Sequence, residues 1–338
     1  MWNKTEFEKH LEERLLAEFN SNKAESMFAA YVTSRDKLLR DVFGYIQGVE
    51  PDLSDHGADH IEHVFKNATS LISVDQSIHG FSATTLYCLG MAILFHDVGN
   101  LFGRTDHHKK IAEVFDWARG TDASVRREKT LILRIARAHT GTAADGTYDT
   151  LKEINELDQL GSANVRPRDV ASILRFADEL AEGQRRTSEF KRINDLIAAD
   201  SRIYHDYASV TNILADRGTE RILVTYEIAV DEFPESDSED HASKLRRLLQ
   251  FIYVRAIKLD QERRYAKFYC NALSPFKTTQ VVLNFHCNGQ ILELDLPPLQ
   301  LDDKTIPGDP ARTIPELDTR YTIEPLVAKV FALAEGAN

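Results

Sequence analysis

The segment from Leu86 to Asn100, LYCLGMAILFHDVGN, is the most informative stretch of the chain. Its first ten residues are apolar on nearly every side of a helix, which predicts a buried helix at the centre of the core. His96 and Asp97 follow directly where this helix should end. A polar doublet at the end of the most buried helix is a candidate for catalytic or metal-binding residues.

The rest of the first 200 residues has the periodicity of amphipathic helices. Apolar residues recur at intervals of three and four, and glycine-containing stretches separate the periodic segments. We therefore expect eight helices, which include or lie within residues 7–19, 27–46, 61–72, 86–95, 111–118, 130–138, 151–157 and 170–181.

After about residue 200 the pattern changes to one of strands. Residues 221–230, 278–287 and 290–296 are rich in β-branched residues, and Asn288 with Gly289 lies between two alternating runs, which predicts a two-residue hairpin turn. A long helix is expected at about 239–271 and a short one at 323–334, and the acidic residues between 231 and 240 are expected to form a solvated loop. The predicted fold is mainly α: a helical bundle over 1–200, then a smaller α+β region over 201–338 with an antiparallel hairpin.

Composition excludes several classes of protein. The chain has 338 residues, of which 41 are Lys or Arg and 53 are Asp or Glu, so its net charge is −12. This charge repels phosphate backbones at long range and argues against long nucleic acids as partners. Three widely spaced cysteines do not suggest a disulfide framework. With no apparent signal peptide and no apolar run near the ~18 residues of a membrane span, we expect a cytoplasmic protein that does not enter a membrane.

Histidines are concentrated in one part of the chain. Eight of the 12 lie between residues 51 and 150. Adjacent residues on a helix point about 100° apart, so His96 and Asp97 can share an ion only near the helix end, with ligands from other elements. His60, at the start of the preceding helix, and Asp178, on the last helix of the bundle, are candidates. Imidazole and carboxylate ligands suit divalent Mn, Fe, Co, Ni or Zn.

These residues together resemble a known family. His60 with Val64, the doublet in LFHDVGN and Asp178 in RFADEL are similar to the H…HD…D set of the HD-domain metal-dependent phosphohydrolases, over about residues 53–190. An HD doublet alone is common by chance, whereas the ordered set on separate helices is specific.

The resemblance implies one or two divalent metals, with Mg also admissible. His60, His96, Asp97 and Asp178 would bind the first ion, and Asp97 would bridge to a second ion held by His107 and His139. His63 could support a ligand without binding the ion, or it could take the place of His60, as could the less favoured His56. His108 is the alternative to His107.

The substrate must be held by local positive charge because the whole chain is acidic. The candidates are Arg104, Lys109 and Lys110 after the doublet, and Arg185 and Arg186 after Asp178. By resemblance, the α+β region would cap the site, with Tyr204, His205 and Tyr207 as contacts to a base or sugar. Asn100 stands where many HD enzymes have Lys, and Leu101 and Phe102 replace the acidic pair typical of guanosine tetraphosphate hydrolases.

We therefore predict a metal-dependent phosphohydrolase that acts on a nucleotide or a similar small phosphate, with His96, Asp97, Arg185 and Arg186 as catalytic residues. The alternative is a non-catalytic nucleotide sensor with the same fold. A nuclease of the HD type is disfavoured by the acidic charge. The amphipathic first 50 residues either cover the bundle or pair with another chain, which leaves a homodimer open.

Overall fold

The computed structural model describes residues 2–49, 56–75, 77–105, 107–194, 196–231, 240–304 and 312–336. The chain divides into two compact units. The first comprises Met1–Ala181 and Tyr265–Ser274, and the second comprises Glu182–Arg264 and Pro275–Asn338. The sequence led us to expect a boundary near residue 200, whereas the first unit's main segment ends at Ala181.

The first unit is a helical bundle. It contains two short antiparallel ribbons, β1 (Ser73–Val74) with β2 (Ser77–Ile78) and β3 (Asp158–Leu160) with β4 (Ala163–Val165). Its helices are α1 (Glu6–Glu18), α2 (Ser21–Leu38), α3 (Gly44–Val49), α4 (Ala58–Ile72), α5 (Ala83–Phe95), α6 (His107–Arg119), α7 (Arg126–Arg137) and α8 (Pro167–Glu179).

The predicted central helix is α5, and all of its residues are buried. Ser82 caps its first turn by accepting a hydrogen bond from the Thr85 amide. By length and composition alone, Ala83–Phe102 could cross a membrane, which corrects our expectation that no apolar run is long enough, but 89% of the tested window is buried in the fold. The apolar character of α5 is thus explained by its place in the core.

The N-terminal helices cover the bundle. A Cβ added at Gly90 of α5 would lie 3.0 Å from both Phe7 and Tyr31, so α1 and α2 pack closely on α5 at this glycine. Buried Glu8 accepts hydrogen bonds from the Tyr31 hydroxyl at 3.1 Å and from Arg35 at 2.6 Å. The apolar face of the N-terminal helices is therefore buried against the rest of the first unit.

The second unit is α+β. Its helices are α9 (Glu189–Ile193), α10 (Ala199–Val210), α11 (His241–Tyr269, whose last five residues belong to the first unit), α12 (Ile314–Leu317) and α13 (Ile323–Gly336). Its strands are β5 (Thr211–Asp216), β6 (Arg221–Ala229), β7 (Thr278–Cys287), β8 (Gln290–Ile291) and β9 (Leu299–Asp302).

The five strands form one mixed sheet in the order β5-β6-β7-β8, with β9 also paired to β7. β5 and β6 are antiparallel, whereas β6 and β7 are parallel and are joined by a connection that contains α11. The predicted hairpin is confirmed: His286 pairs with Ile291, and Asn288 and Gly289 have φ values of 52° and 72°, as a mirror-type turn requires.

Two local predictions are wrong, and one cannot be compared. Residues 151–157 form a 3-10 turn at Leu151–Glu153 instead of a helix, because the chain becomes extended at Ile154. Of residues 290–296, only β8 is a strand, and the next pairing with β7 is made by β9. Most of the acidic segment between 231 and 240 lies outside the described residues.

Candidate metal centre

His96 and Asp97 lie where the buried helix α5 ends. The His96 side chain is fully buried, and its Nδ1–H donates to the Ile93 carbonyl at 2.8 Å. This hydrogen bond fixes the orientation of the ring and directs Nε2 toward Asp97. Asp97 begins a 3-10 turn at Val98–Phe102. The end of one core helix therefore presents an imidazole nitrogen and a carboxylate to the same point.

Four residues, from two helices and the end of α5, converge there. His60 from α4 and Asp178 from α8 join His96 and Asp97, and one ligand atom of each lies within 4.8 Å of the others. Nε2 of His60 is 3.2 Å from Oδ1 of Asp178, and Nε2 of His96 is 3.3 Å from Oδ2 of Asp97. α4 and α8 are held together near this point by a hydrogen bond from Asn67 to the Ala177 carbonyl.

The second carboxylate oxygen of Asp97 faces a different pair of imidazoles. Oδ1 of Asp97 is 3.3 Å from Nε2 of His107 and 3.5 Å from Nε2 of His139. These two Nε2 atoms are 3.4 Å apart. Asp97, His107 and His139 thus form a second group that could hold an ion, and Asp97 belongs to both groups.

Three histidines are oriented by the same backbone contact. Nδ1 of His107 lies 3.1 Å from the Arg104 carbonyl, and Nδ1 of His139 lies 2.6 Å from the Ala136 carbonyl. Like His96, each of these residues donates Nδ1–H to the carbonyl three positions earlier. Imidazoles held in this way direct their Nε2 atoms to the centre, where each nitrogen can bind a metal once it carries no proton.

The two carboxylates of these groups, Asp97 and Asp178, have pKa values that are low for buried side chains. Burial raises the pKa of Asp97, but His96 and His56, together with hydrogen bonds from His107 and His139, outweigh it and hold the pKa well below its usual value. The pKa of Asp178 is also lowered well below its usual value, since the close contacts of its carboxylate with the imidazoles of His60 and His96 outweigh its burial. Both carboxylates are therefore held ionised, as cation ligands must be.

Several buried nitrogen atoms fit a cation site. Among the described residues, no hydrogen-bond partner reaches Nδ1 or Nε2 of His60 or Nε2 of His96. Buried polar atoms almost always have a partner, so nitrogens of this kind are typical of an ion-binding position. The donor set is compatible with a divalent transition metal.

The neighbouring histidines lie outside these two groups. His60 and His107 belong to the groups, whereas His63 and His108 do not. His56 lies closer than we expected, with Nδ1 3.7 Å from Oδ2 of Asp97. The roles of all these residues as ligands remain predictions.

The positions around His139 are fixed by a network that the sequence analysis missed. The Thr150 hydroxyl donates to the Ala138 carbonyl at 2.6 Å, and Arg175 donates to both of these acceptors, at 3.0 Å to Thr150 and 3.4 Å to Ala138. Arg175 also lies against the ring of Tyr265. The available signal was the position of Arg175, one helical turn before Asp178 on α8.

The predicted cationic residues in the first unit have defined local environments. Arg104 and Lys109 are exposed. Nζ of Lys110 donates to the Phe102 carbonyl at 2.9 Å, so this ammonium group is hydrogen-bonded to the backbone. Asn100 is buried, and no hydrogen-bond partner within the described part of the chain reaches its Oδ1.

The remaining predicted residues belong to the second unit. Arg185 is exposed, whereas Arg186 is buried, with Nη1 3.6 Å from a Glu182 oxygen. His205 is buried, and its Nδ1 lies 2.8 Å from the Thr187 hydroxyl. The exposed Tyr204 packs its ring edge-to-face on Phe251, as does the buried Tyr207. Their contacts with a substrate remain predictions.

Comparison with known proteins gives one match. The family model described as HD-CE matches residues 50–255, a range that includes every member of the two His and Asp groups. No curated protein and no solved structure matches the chain.

Proposed function

The chain belongs to the HD-CE family, and on that premise we propose that it is a metal-dependent phosphohydrolase. In this proposal the enzyme cleaves a phosphoester or phosphoanhydride bond of a nucleotide or similar small phosphate. The observation that carries it is the place of Asp97 between two sets of imidazoles, with one oxygen toward His60 and His96 and the other toward His107 and His139.

In this proposal the site residues hold two divalent ions. His60, His96, Asp97 and Asp178 would hold one divalent ion, and Asp97 with His107 and His139 would hold another. Bound divalent ions at such a site supply water of lowered pKa and neutralise charge on phosphate oxygens. The hydrogen bonds from Nδ1 to backbone carbonyls keep the imidazoles of His96, His107 and His139 in place, so little reorganisation is needed when substrate binds.

The charge of the protein favours a small substrate. With a net charge of −12 the chain repels polyanions, so attraction must come from the metal centre and nearby cations. The exposed Arg104 and Lys109 are the side chains of the first unit that we propose for contacts to phosphate oxygens. The same role for the exposed Arg185 stays a prediction from the sequence. Arg186 and Lys110 are weaker candidates, because Arg186 is buried and Lys110 is only partly exposed.

The test is hydrolysis of a substrate panel with the metal varied. Purified protein is incubated with Mn²⁺, Co²⁺, Ni²⁺, Zn²⁺ or Mg²⁺ and with nucleoside mono-, di- and triphosphates, cyclic nucleotides and single-stranded oligonucleotides. We expect metal-dependent release of phosphate or of a nucleotide from a small substrate. Loss of this activity in Asp97→Ala is expected, with Asp59→Asn, an exposed carboxylate beside His60, as the matched control.

The alternative outcomes are distinct. Tight nucleotide binding without any product would support the sensor function instead. Cleavage confined to the oligonucleotides would support the nuclease function. Activity that survives in Asp97→Ala would contradict the assignment of this centre.

A further inference from the structure

The second unit contains a cavity of about 460 Å³ that shares no residue with the metal centre. Residues of α9, α10 and the end of β6 line it, together with Gln184 and Leu248. Its volume falls in the range of small-molecule sites, about 300–1,000 Å³. We call it the β6 cavity.

The β6 cavity lies beside an unpaired strand edge. β5 pairs with β6 only as far as Thr211 opposite Tyr226, while β6 continues to Ala229. The amide of Val230 donates to the His286 carbonyl in β7, and the direction of backbone groups alternates along a strand. The N–H and C=O groups of Glu227 and Ala229 therefore point to the other side, where no strand of the described chain continues the pairing.

Opposite charges line the same cavity. Arg192 from α9 and Asp206 from α10 are both lining residues. Nε of Arg192 and Oδ1 of Asp206 are buried, and neither has a hydrogen-bond partner among the described residues. Burial raises the pKa of Asp206, and the nearby positive charges, of which Arg192 has the largest effect, followed by Arg247 and Arg202, offset this only in part. A buried donor and a buried acceptor left without partners are costly unless a ligand satisfies them.

We propose that the β6 cavity binds a small zwitterion, an α-amino acid or a short peptide. The carboxylate of the ligand pairs with Arg192, which suits a planar carboxylate. Its ammonium group pairs with Asp206. A peptide group of the ligand, where present, pairs with the exposed backbone of Glu227 and Ala229, as in the addition of an extended segment to a sheet edge. The lining carries Arg192 as well as the carboxylates of Asp206, Glu189 and Glu227, so a ligand with both charges matches it better than a simple anion does.

This proposal does not depend on the metal centre, and it is tested by ligand binding to the full-length chain. The probes are the standard L-amino acids and a set of dipeptides, each at millimolar concentration, in thermal unfolding and then in calorimetry. We expect at least one zwitterion to raise the unfolding temperature, since a ligand that binds only the folded state stabilises it. N-acetylated and amidated forms of that ligand, each lacking one charge, should bind at least about tenfold more weakly.

Substitutions locate the site. Asp206→Asn nearly preserves the side-chain volume, and Arg192→Gln reduces it. Each substitution removes one charge and should weaken binding by roughly tenfold to a hundredfold. Asp200→Asn, an exposed carboxylate on the same helix as Asp206, is the matched control and should bind as the wild type does. Circular dichroism and metal content verify that each variant is folded.

Three results would overturn the proposal. One is the absence of binding by every zwitterion, and another is stabilisation by nucleosides or inorganic phosphate alone. The third is zwitterion binding that is unchanged in both Asp206→Asn and Arg192→Gln.

Discussion

Gly99 lies directly against the backbone of His107: a Cβ added at Gly99 would be 1.9 Å from the His107 carbonyl oxygen. Only a residue without a side chain allows this approach. The 3-10 turn that follows Asp97 is thereby pressed against the first residue of α6. This contact sets the distance between Asp97 and the imidazole of His107.

We predict that Gly99→Ala displaces His107 and weakens the group formed by Asp97, His107 and His139. The added methyl group collides with backbone, so we expect a loss of about 1 to 3 kcal/mol in the free energy of unfolding. Elemental analysis should show that the variant binds one ion fewer than the wild type. Gly48→Ala is the control, because an added Cβ there meets nothing within 4 Å. Unchanged metal content in Gly99→Ala would contradict this role.

Asp97 should affect metal binding more than any other single carboxylate. It belongs to both groups, whereas Asp178 belongs to one and His139 to the other. We expect Asp97→Ala to lose both ions, and Asp178→Ala and His139→Ala to lose one each. Metal content measured after purification without chelator tests this order. Equal losses in all three variants would indicate one shared ion instead of two.

The hydroxyl of Thr150 should act on the metal centre through the backbone next to His139. In Thr150→Val the Ala138 carbonyl loses its closest hydrogen bond, which should cost about 0.5 to 1.5 kcal/mol of stability. We also expect about tenfold weaker binding of the ion at His139, the usual effect of removing an outer contact. Titration of stripped protein with metal measures this affinity. Thr130→Val, which removes a hydroxyl from the exposed side of α7, should leave it unchanged.

Alkaline pH should destabilise the second unit through Tyr321. Burial, and then the charge of Asp318, raises the pKa of this phenol from 10 to about 12. The unfolded chain loses this proton at lower pH than the folded chain, so the free energy of unfolding falls as pH rises from 10 to 12. The contribution of Tyr321 to this fall is about 1 to 3 kcal/mol.

Urea denaturation across this pH range measures the effect. Tyr321→Phe should show a smaller decline, although it loses the hydrogen bond to the Pro297 carbonyl at every pH. Tyr45→Phe, at a position that is 63% exposed, should decline as the wild type does. An identical pH dependence in wild type and Tyr321→Phe would contradict this assignment.

Much of the architecture follows from local pattern. The continuous apolar run of α5 indicates the core helix, and intervals of three and four residues indicate most of the bundle. Alternation over 221–230 and 278–287 indicates the two longest strands. Asn288 and Gly289 indicate the hairpin, because their permissive backbones accept the positive φ that this turn needs. Such signals are encoded within a few residues, so the sequence alone determines them.

The tertiary structure decided the rest, for physical reasons that act between distant segments. Residues 151–157 have a helical pattern, but only Leu151–Glu153 form a 3-10 turn and the chain is extended at Ile154. Tertiary contacts can outweigh the local preference for a helix. His107, and not His108, faces Asp97, because Gly99 lies against the His107 carbonyl and the Arg104 carbonyl holds Nδ1 of His107. Arg175, Thr150 and Ala138 meet only when α8 packs beside the end of α7. The sequence supplied the histidines and carboxylates, and the packing of the helices placed one oxygen of Asp97 toward each set of imidazoles.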